Sequence, residues 1–307
     1  LSGLRRWGPW VIGIALVAVI LMRVPLDAFR GAITHGPHLV LAAVDLLVTV
    51  CALCTDSIAS WIGLYTLRMR RPFAKVFAVR GATSLLVLLN YAVGQGGFGY
   101  YLHRSGAPAL RATGATLFLI GINLAAMLLI TPLAWFVLDI EAPNSAMWWT
   151  ITVGCGSFAA YLLVIAISPQ FLVRRQLFAP LFDAGLRGHA IAILGRVPHV
   201  AIIVLGQWLA LWAWDIDVPL RVAATVMPMV AIASSLPISP AGLGTSQAAL
   251  MFFFSDYSTG ATAGARAGNV LAYSIVHFVY ALLASVVVGL VCAPFAKRAL
   301  AAPPVEA

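Results

Sequence analysis

Charge is what this chain has least of. Only 9% of its 307 residues are charged, while 62% are hydrophobic. No soluble core could hide that much apolar surface, which excludes an ordinary water-soluble protein. No stretch is long and polar enough for a separate extramembrane domain, so residues 1–307 read as a single polytopic membrane domain of all-α class. Cysteine is scarce as well. Cys51 and Cys54 form a C-x-x-C, but inside an apolar helical run, and Cys155 and Cys292 also lie within spans. With no second cysteine pair, no zinc site is indicated. Also missing are a nucleophile with a paired base, a Walker loop and any nucleic-acid motif. Nothing in the residues asks for enzyme chemistry, a cofactor, a metal or a nucleic-acid partner.

What the chain does have is apolar runs, two of them interrupted. The clearest interruption is Ser234-Ser235-Leu236-Pro237-Ile238-Ser239-Pro240-Ala241-Gly242-Leu243-Gly244-Thr245-Ser246-Gln247, inside a region from about Leu220 to Phe254. Its two prolines remove backbone donors, and its glycines favour open or left-handed backbone. Such backbone is tolerated at membrane depth only against protein or a water-filled cavity. A second stretch, Gln95-Gly96-Gly97-Phe98-Gly99, resembles it, and each follows an apolar run carrying a polar residue near its end, Asn90 and Ser235. Paired interruptions in two halves of a membrane chain are the best sequence pointer to a transporter's binding site.

Full spans are expected at about Trp7–Met22, His38–Leu67, Ala112–Leu138, Met147–Ile167, His199–Trp214 and Asn269–Cys292. The first follows Arg5-Arg6 like a signal peptide but lacks a small-residue cleavage site, so it reads as a retained helix. Trp148 and Trp149 suit a membrane interface. Residues 168–196 carry Arg174, Arg175, Arg187 and Arg196 among apolar residues, the pattern of a helix lying on a membrane surface.

The 19 basic residues outnumber the 10 acidic ones, and they cluster between spans. Lys and Arg crowd at 5–6, 68–80, 104–111, 174–196 and 297–298, whereas Asp139, Glu141, Asp215 and Asp217 mark acidic ends. Under the positive-inside rule both termini are cytoplasmic and the membrane is the cytoplasmic, inner one. The segment at about 76–99 then enters and leaves from the cytoplasm, and the segment at about 220–255 from the other side. The expected architecture is six full spans plus two oppositely oriented re-entrant hairpins forming an inverted repeat. Arg221 and Arg266 run against that count.

Ionisable residues within spans are functional candidates by default. Asp45 and Asp56 lie three helical turns apart on nearly one face. With Arg80 and His277 they form a candidate polar or proton pathway; alternatively Arg80 snorkels to the interface and His277 is hydrogen-bonded between helices. Arg104, five residues past Gly99, is the candidate phosphate partner, because guanidinium binds phosphate at two points.

Leu236 to Gly244, followed by Gln247-Ala248-Ala249, resembles the signature of the lysylphosphatidylglycerol synthase transmembrane-domain family, flippase-like membrane proteins. The stretch from Asn90 to Arg104 is similar to that family's earlier asparagine, glycine-rich and arginine elements. Gln247 stands where the family usually has glutamate, Ala241 where glycine is frequent, and Gln95 where proline is common. The resemblance implies translocation of a lipid or lipid-linked polar headgroup, without identifying the lipid. It implies substrate contacts at Asn90, Gln95, Gly97, Gly99 and Arg104 on one hairpin. On the other it implies Ser239, Gly242, Gly244, Thr245, Ser246 and Gln247. The expected partners are an anionic phospholipid or lipid-linked substrate, the surrounding membrane lipids, and further copies of the chain or other membrane subunits. The rival readings are a membrane-embedded transferase using Asp45, Asp56 and Arg104, and a non-catalytic subunit of a membrane assembly.

Overall fold

The computed structural model describes residues 17–19, 21–22, 25–87, 91–138, 145–235 and 242–301. Among them the chain is all helix, apart from one isolated β-bridge between Ile216 and Ser258. The helices are α1 (Leu26–His35), α2 (His38–Thr66), α3 (Phe73–Val87), α4 (Tyr91–Arg104), α5 (Ala109–Leu138) and α6 (Ser145–Ile167). Then come the single turn α7 (Gln170–Val173), α8 (Ala179–Ala213), α9 (Leu220–Ser235), α10 (Thr245–Phe254) and α11 (Ala263–Ala301).

Five helices are long and apolar enough to cross a membrane: α2, α5, Met147–Ile167 of α6, α8 and α11. This is a multi-pass membrane protein. The expected span at Trp7–Met22 lies outside the described residues except for 17–19 and 21–22. One expectation is corrected here. Residues 186–196 are not a surface connector but the start of a helix that runs on to Ala213 and carries Pro198. A short helical stretch, residues 179–184, precedes it and is set off by non-helical backbone at Gly185 (φ 56°). The polar connector shrinks to residues 168–178, where Arg174 and Arg175 are exposed. The remaining arginines of that tract are carried on a helix whose apolar residues hold it in the bundle.

The long pair α2 and α8 runs antiparallel. Along their seam Gly188 faces Thr66, Gly195 faces Ile62, and Gly206 meets the side chain of Val48. Without a hydrophobic driving force between helices in lipid, small residues that admit close backbone approach supply the packing. At the far end of this seam His38 meets the Trp214 ring edge-on at 5.8 Å. α11 lies along α3, where the Ser84 hydroxyl donates to the Ser285 carbonyl at 3.0 Å.

α3, α4, α9 and α10 have 15, 14, 16 and 10 residues. At 1.5 Å per residue the longest is about 24 Å, short of a hydrocarbon core of about 30 Å. α3 and α4 form an antiparallel hairpin, because a Cβ on Gly97 would meet Thr83 and Leu86 and one on Gly94 would meet Val87. The ends of the hairpin are tied by Arg71, whose guanidinium donates to the Ser105 carbonyl at 3.0 Å. The ends of the α9–α10 pair are tied likewise by the Asp217 N–H, which donates to the Tyr257 carbonyl at 3.0 Å.

The two glycine-rich stretches differ. Gly242 and Gly244 have φ of 76° and 86°, as a proline- and glycine-rich interruption requires. Gln95 to Gly99, by contrast, is helical within α4. The helix keeps its backbone hydrogen bonds, as lipid surroundings demand, and uses glycine for contact instead.

Candidate functional site

α2, α3, α8 and α11, closed by parts of α4, α5, α9 and α10, surround a cavity of about 510 Å³. Its lining is largely apolar, and two groups of charged and histidine side chains stand at it.

The first group is centred on Asp56. Arg80 reaches it from α3, with Nε 2.8 Å from Oδ2 and a terminal nitrogen donating to Oδ1 at 3.0 Å. Arg196 reaches the same Oδ1 from α8. Arg80 also donates to Gln95 Oε1 at 2.9 Å and lies over the Phe98 ring, 4.7 Å from its centroid. Both guanidiniums are buried, with Arg80 7% and Arg196 2% exposed. Two guanidiniums facing one carboxylate leave one positive charge in excess at the cavity wall. Burial of such a set is tolerable only because the charges are paired and hydrogen-bonded. His199 stands beside it on α8, with Nδ1 3.2 Å from the Ala52 carbonyl.

The second group sits farther along α2. Asp45 is 2% exposed, and its Oδ1 accepts from His277 Nδ1 at 2.7 Å. Gln207 Nε2 lies 2.6 Å from His277 Nε2, and Tyr273 stacks on the imidazole at 5.4 Å. His277 and Gln207 line the cavity, with Asp45 behind them.

The turn before α10 closes on itself. The Gly244 N–H donates to Gln247 Oε1 at 2.6 Å, a helix cap made by the third helical residue. Gln247 Nε2 donates to the Ser274 carbonyl at 3.4 Å, and the hydroxyls of Thr245 and Ser246 donate to the Gly242 carbonyl, each at 2.9 Å. These three side chains are thus engaged with their own backbone and with α11, although Ser246 and Gln247 still border the cavity.

Of the sequence candidates, Asp56, Arg80, Gln95, Ser246, Gln247 and His277 therefore converge on one cavity, and Asp45 joins through His277. Gly97 packs against α3, and a Cβ on Gly99 would meet Thr116 of α5. Asn90 and Ser239 lie outside the described residues. Arg104 is at the exposed C-terminal end of α4 and does not border the cavity among the described residues.

The sequence reading missed Arg196, Gln207 and His199. A signal was present: Arg196 and Gln207 are eleven residues apart, the same interval as Asp45 and Asp56. Two helices with polar residues at one interval can pair them face to face. No protein-family model matches this chain, and a comparison with curated proteins finds no significant match.

Proposed function

We propose that this protein carries an anionic lipid headgroup across the membrane while the lipid tails stay in the bilayer. The observation that supports this best is the unbalanced guanidinium pair, Arg80 and Arg196, at the wall of a cavity of about 510 Å³. That volume falls in the ordinary range for small-ligand sites, roughly 300–1,000 Å³. Guanidinium nitrogens are well suited to phosphate oxygens, because their planar fork donates at two points. A headgroup phosphate offers the negative charge that the wall lacks.

In this reading the α3–α4 and α9–α10 pairs are re-entrant hairpins of opposite orientation. Two observations support it. The tie between Arg71 and Ser105 follows the C-terminal end of α2, and the tie between Asp217 and Tyr257 follows Trp214, which meets His38 at the N-terminal end of α2. Each pair brings a buried glutamine to the cavity, Gln95 or Gln247. The flippase-like family resemblance agrees with such an inverted repeat, as does an inner-membrane location with cytoplasmic termini. We read the chain as a transporter and not a transferase, since, of the polar set a transferase would use, Asp56 is committed to Arg80 and Arg196 and Arg104 does not border the cavity.

The test is leaflet transfer in proteoliposomes, with fluorescent phosphatidylglycerol and, as control, fluorescent diacylglycerol lacking phosphate. Wild type is expected to speed exchange of the phospholipid but not of the control. Arg196→Gln is expected to slow it at least tenfold, the cost of a lost charge-assisted contact. Equal rates for protein-containing and empty vesicles would dismiss the reading.

A further inference from the structure

We infer that Asp45 and His277 form a proton site, with Gln207 as its switch, and that its occupancy is linked to the anion held at Arg80 and Arg196. The linkage rests on the headgroup reading above; the proton site rests on its own geometry.

Asp45 is a buried carboxylate with a single hydrogen-bond partner, His277, and its other oxygen has no partner among the described residues. Buried carboxylates with so little compensation are costly unless a proton or cation balances them. As arranged, Gln207 Nε2–H donates to His277 Nε2, so Nε2 is the acceptor and Nδ1–H donates to Asp45. An imidazole with those roles is neutral, and the pair carries one negative charge. A proton arriving from the cavity adds to Nε2. Turning the Gln207 amide end for end then offers Oε1 to the new N–H, since an amide presents a donor on one side and an acceptor on the other. The loaded pair is an imidazolium against a carboxylate, and it is neutral overall. One switchable side chain thus satisfies both states, a property that a purely structural histidine does not need.

The surroundings make the pair the variable charge of the cavity. The Tyr273 ring stacks on His277, and its buried hydroxyl is unpartnered among the described residues. One turn farther along α11, the Tyr280 hydroxyl is engaged with His38 at 3.1 Å. Across the cavity stand Asp56, Arg80, Arg196 and His199. α5 contributes Asn123 and Met127, and α9 and α10 contribute no ionisable side chain to the lining among the described residues. α1, which packs on α11, carries Asp27, Arg30 and His35, none of them in the lining. When the pair holds its proton, the positive excess at Arg80 and Arg196 stands alone and favours an anion. When the proton leaves, the new negative charge offsets that excess. Proton and anion therefore bind with positive coupling, and each must strengthen the other by the same factor.

The size of the effect follows from distance. Asp45 and Asp56 are eleven residues apart on α2, about 16 Å along the axis. At an effective dielectric of about 20, a unit charge at that distance changes anion affinity about fivefold.

The experiment measures binding of dioctanoyl phosphatidylglycerol to detergent-solubilised protein at pH 5.5 and pH 8.5. Its phosphodiester keeps one charge over that range. Wild type is expected to bind about fivefold more weakly at pH 8.5. Asp45→Asn removes the negative charge, so it is expected to bind at pH 8.5 as wild type does at pH 5.5. His277→Gln keeps the carboxylate but removes the proton acceptor, so it is expected to bind at pH 5.5 as wild type does at pH 8.5. A variant damaged in folding would lose binding at both values, whereas a gain of affinity in Asp45→Asn has no such explanation. Binding by wild type without pH dependence, or with a dependence that Asp45→Asn and His277→Gln both keep, would overturn the proton site. No binding by wild type at either pH would instead overturn the headgroup reading, and the linkage with it.

Discussion

Asp56→Leu is expected to destabilise the protein by about 3–5 kcal/mol, the cost of leaving a buried charge without its partner. Asp56 is the shared counter-charge of two guanidiniums that come from different helices, Arg80 on α3 and Arg196 on α8. Removing either arginine leaves the carboxylate with the other, but removing the carboxylate leaves two like charges facing each other at the cavity wall. The measurement is equilibrium unfolding in detergent, read by circular dichroism. The triple replacement Asp56→Leu, Arg80→Met and Arg196→Met supplies the contrast. Apolar side chains of similar volume can replace a buried ion network with little loss, so the triple variant is expected to recover most of the stability. In the same preparation its lipid transfer is expected to be absent. Stability and transfer that fall and recover together would mean that the charges serve folding alone.

Gly242→Val is expected to abolish transfer and to cost about 2–3 kcal/mol, the scale of one residue forced into a sparsely populated backbone region plus crowding. Gly242 has φ 76°, which disfavours any side chain, and a Cβ there would lie 2.8 Å from the Ser234 carbonyl oxygen and 3.0 Å from the Ser234 Cα. Those neighbours are backbone at the end of α9, so they cannot rotate away. The strain falls on the turn whose carbonyl accepts from Thr245 and Ser246 and which orients Gln247 toward Ser274. Gly97→Val is the instructive companion. Its nearest neighbour would be Cδ1 of Leu86, the far end of a flexible side chain, so a smaller loss is expected. Leaflet transfer at wild-type rate in Gly242→Val would show that this turn does not border the working path.

The second interruption was readable because prolines and positive-φ glycines leave few alternatives for the backbone, and Gly242 and Gly244 adopt the conformation that the residue types call for. The first was readable only as a region. Gly96, Gly97 and Gly99 are glycines in both accounts, but glycine serves open backbone and close helix contact equally well, and residue type does not tell the two apart. The structure keeps them helical. Arg196 failed for a different reason. In a tract holding Arg174, Arg175 and Arg187 it looks like one more surface charge, yet it is nearly fully buried. Only the antiparallel packing of α8 on α2 sets it opposite Asp56.

Composition alone was enough to make this an all-helical membrane protein, because the free energy of entering lipid is a sum over the residues of a span and needs no knowledge of its neighbours. The same local logic marked Asp45, Asp56, Arg80 and His277 as costly groups that must have partners. Which partners they have was decided by tertiary structure. Asp56 meets Arg80 across 24 positions of sequence and Arg196 across 140, and Asp45 meets His277 across 232. Hydrogen bonds and ion pairs act over a few ångströms, so their identity depends on which helices become neighbours, and that is set by the packing of small residues along seams such as α2 and α8.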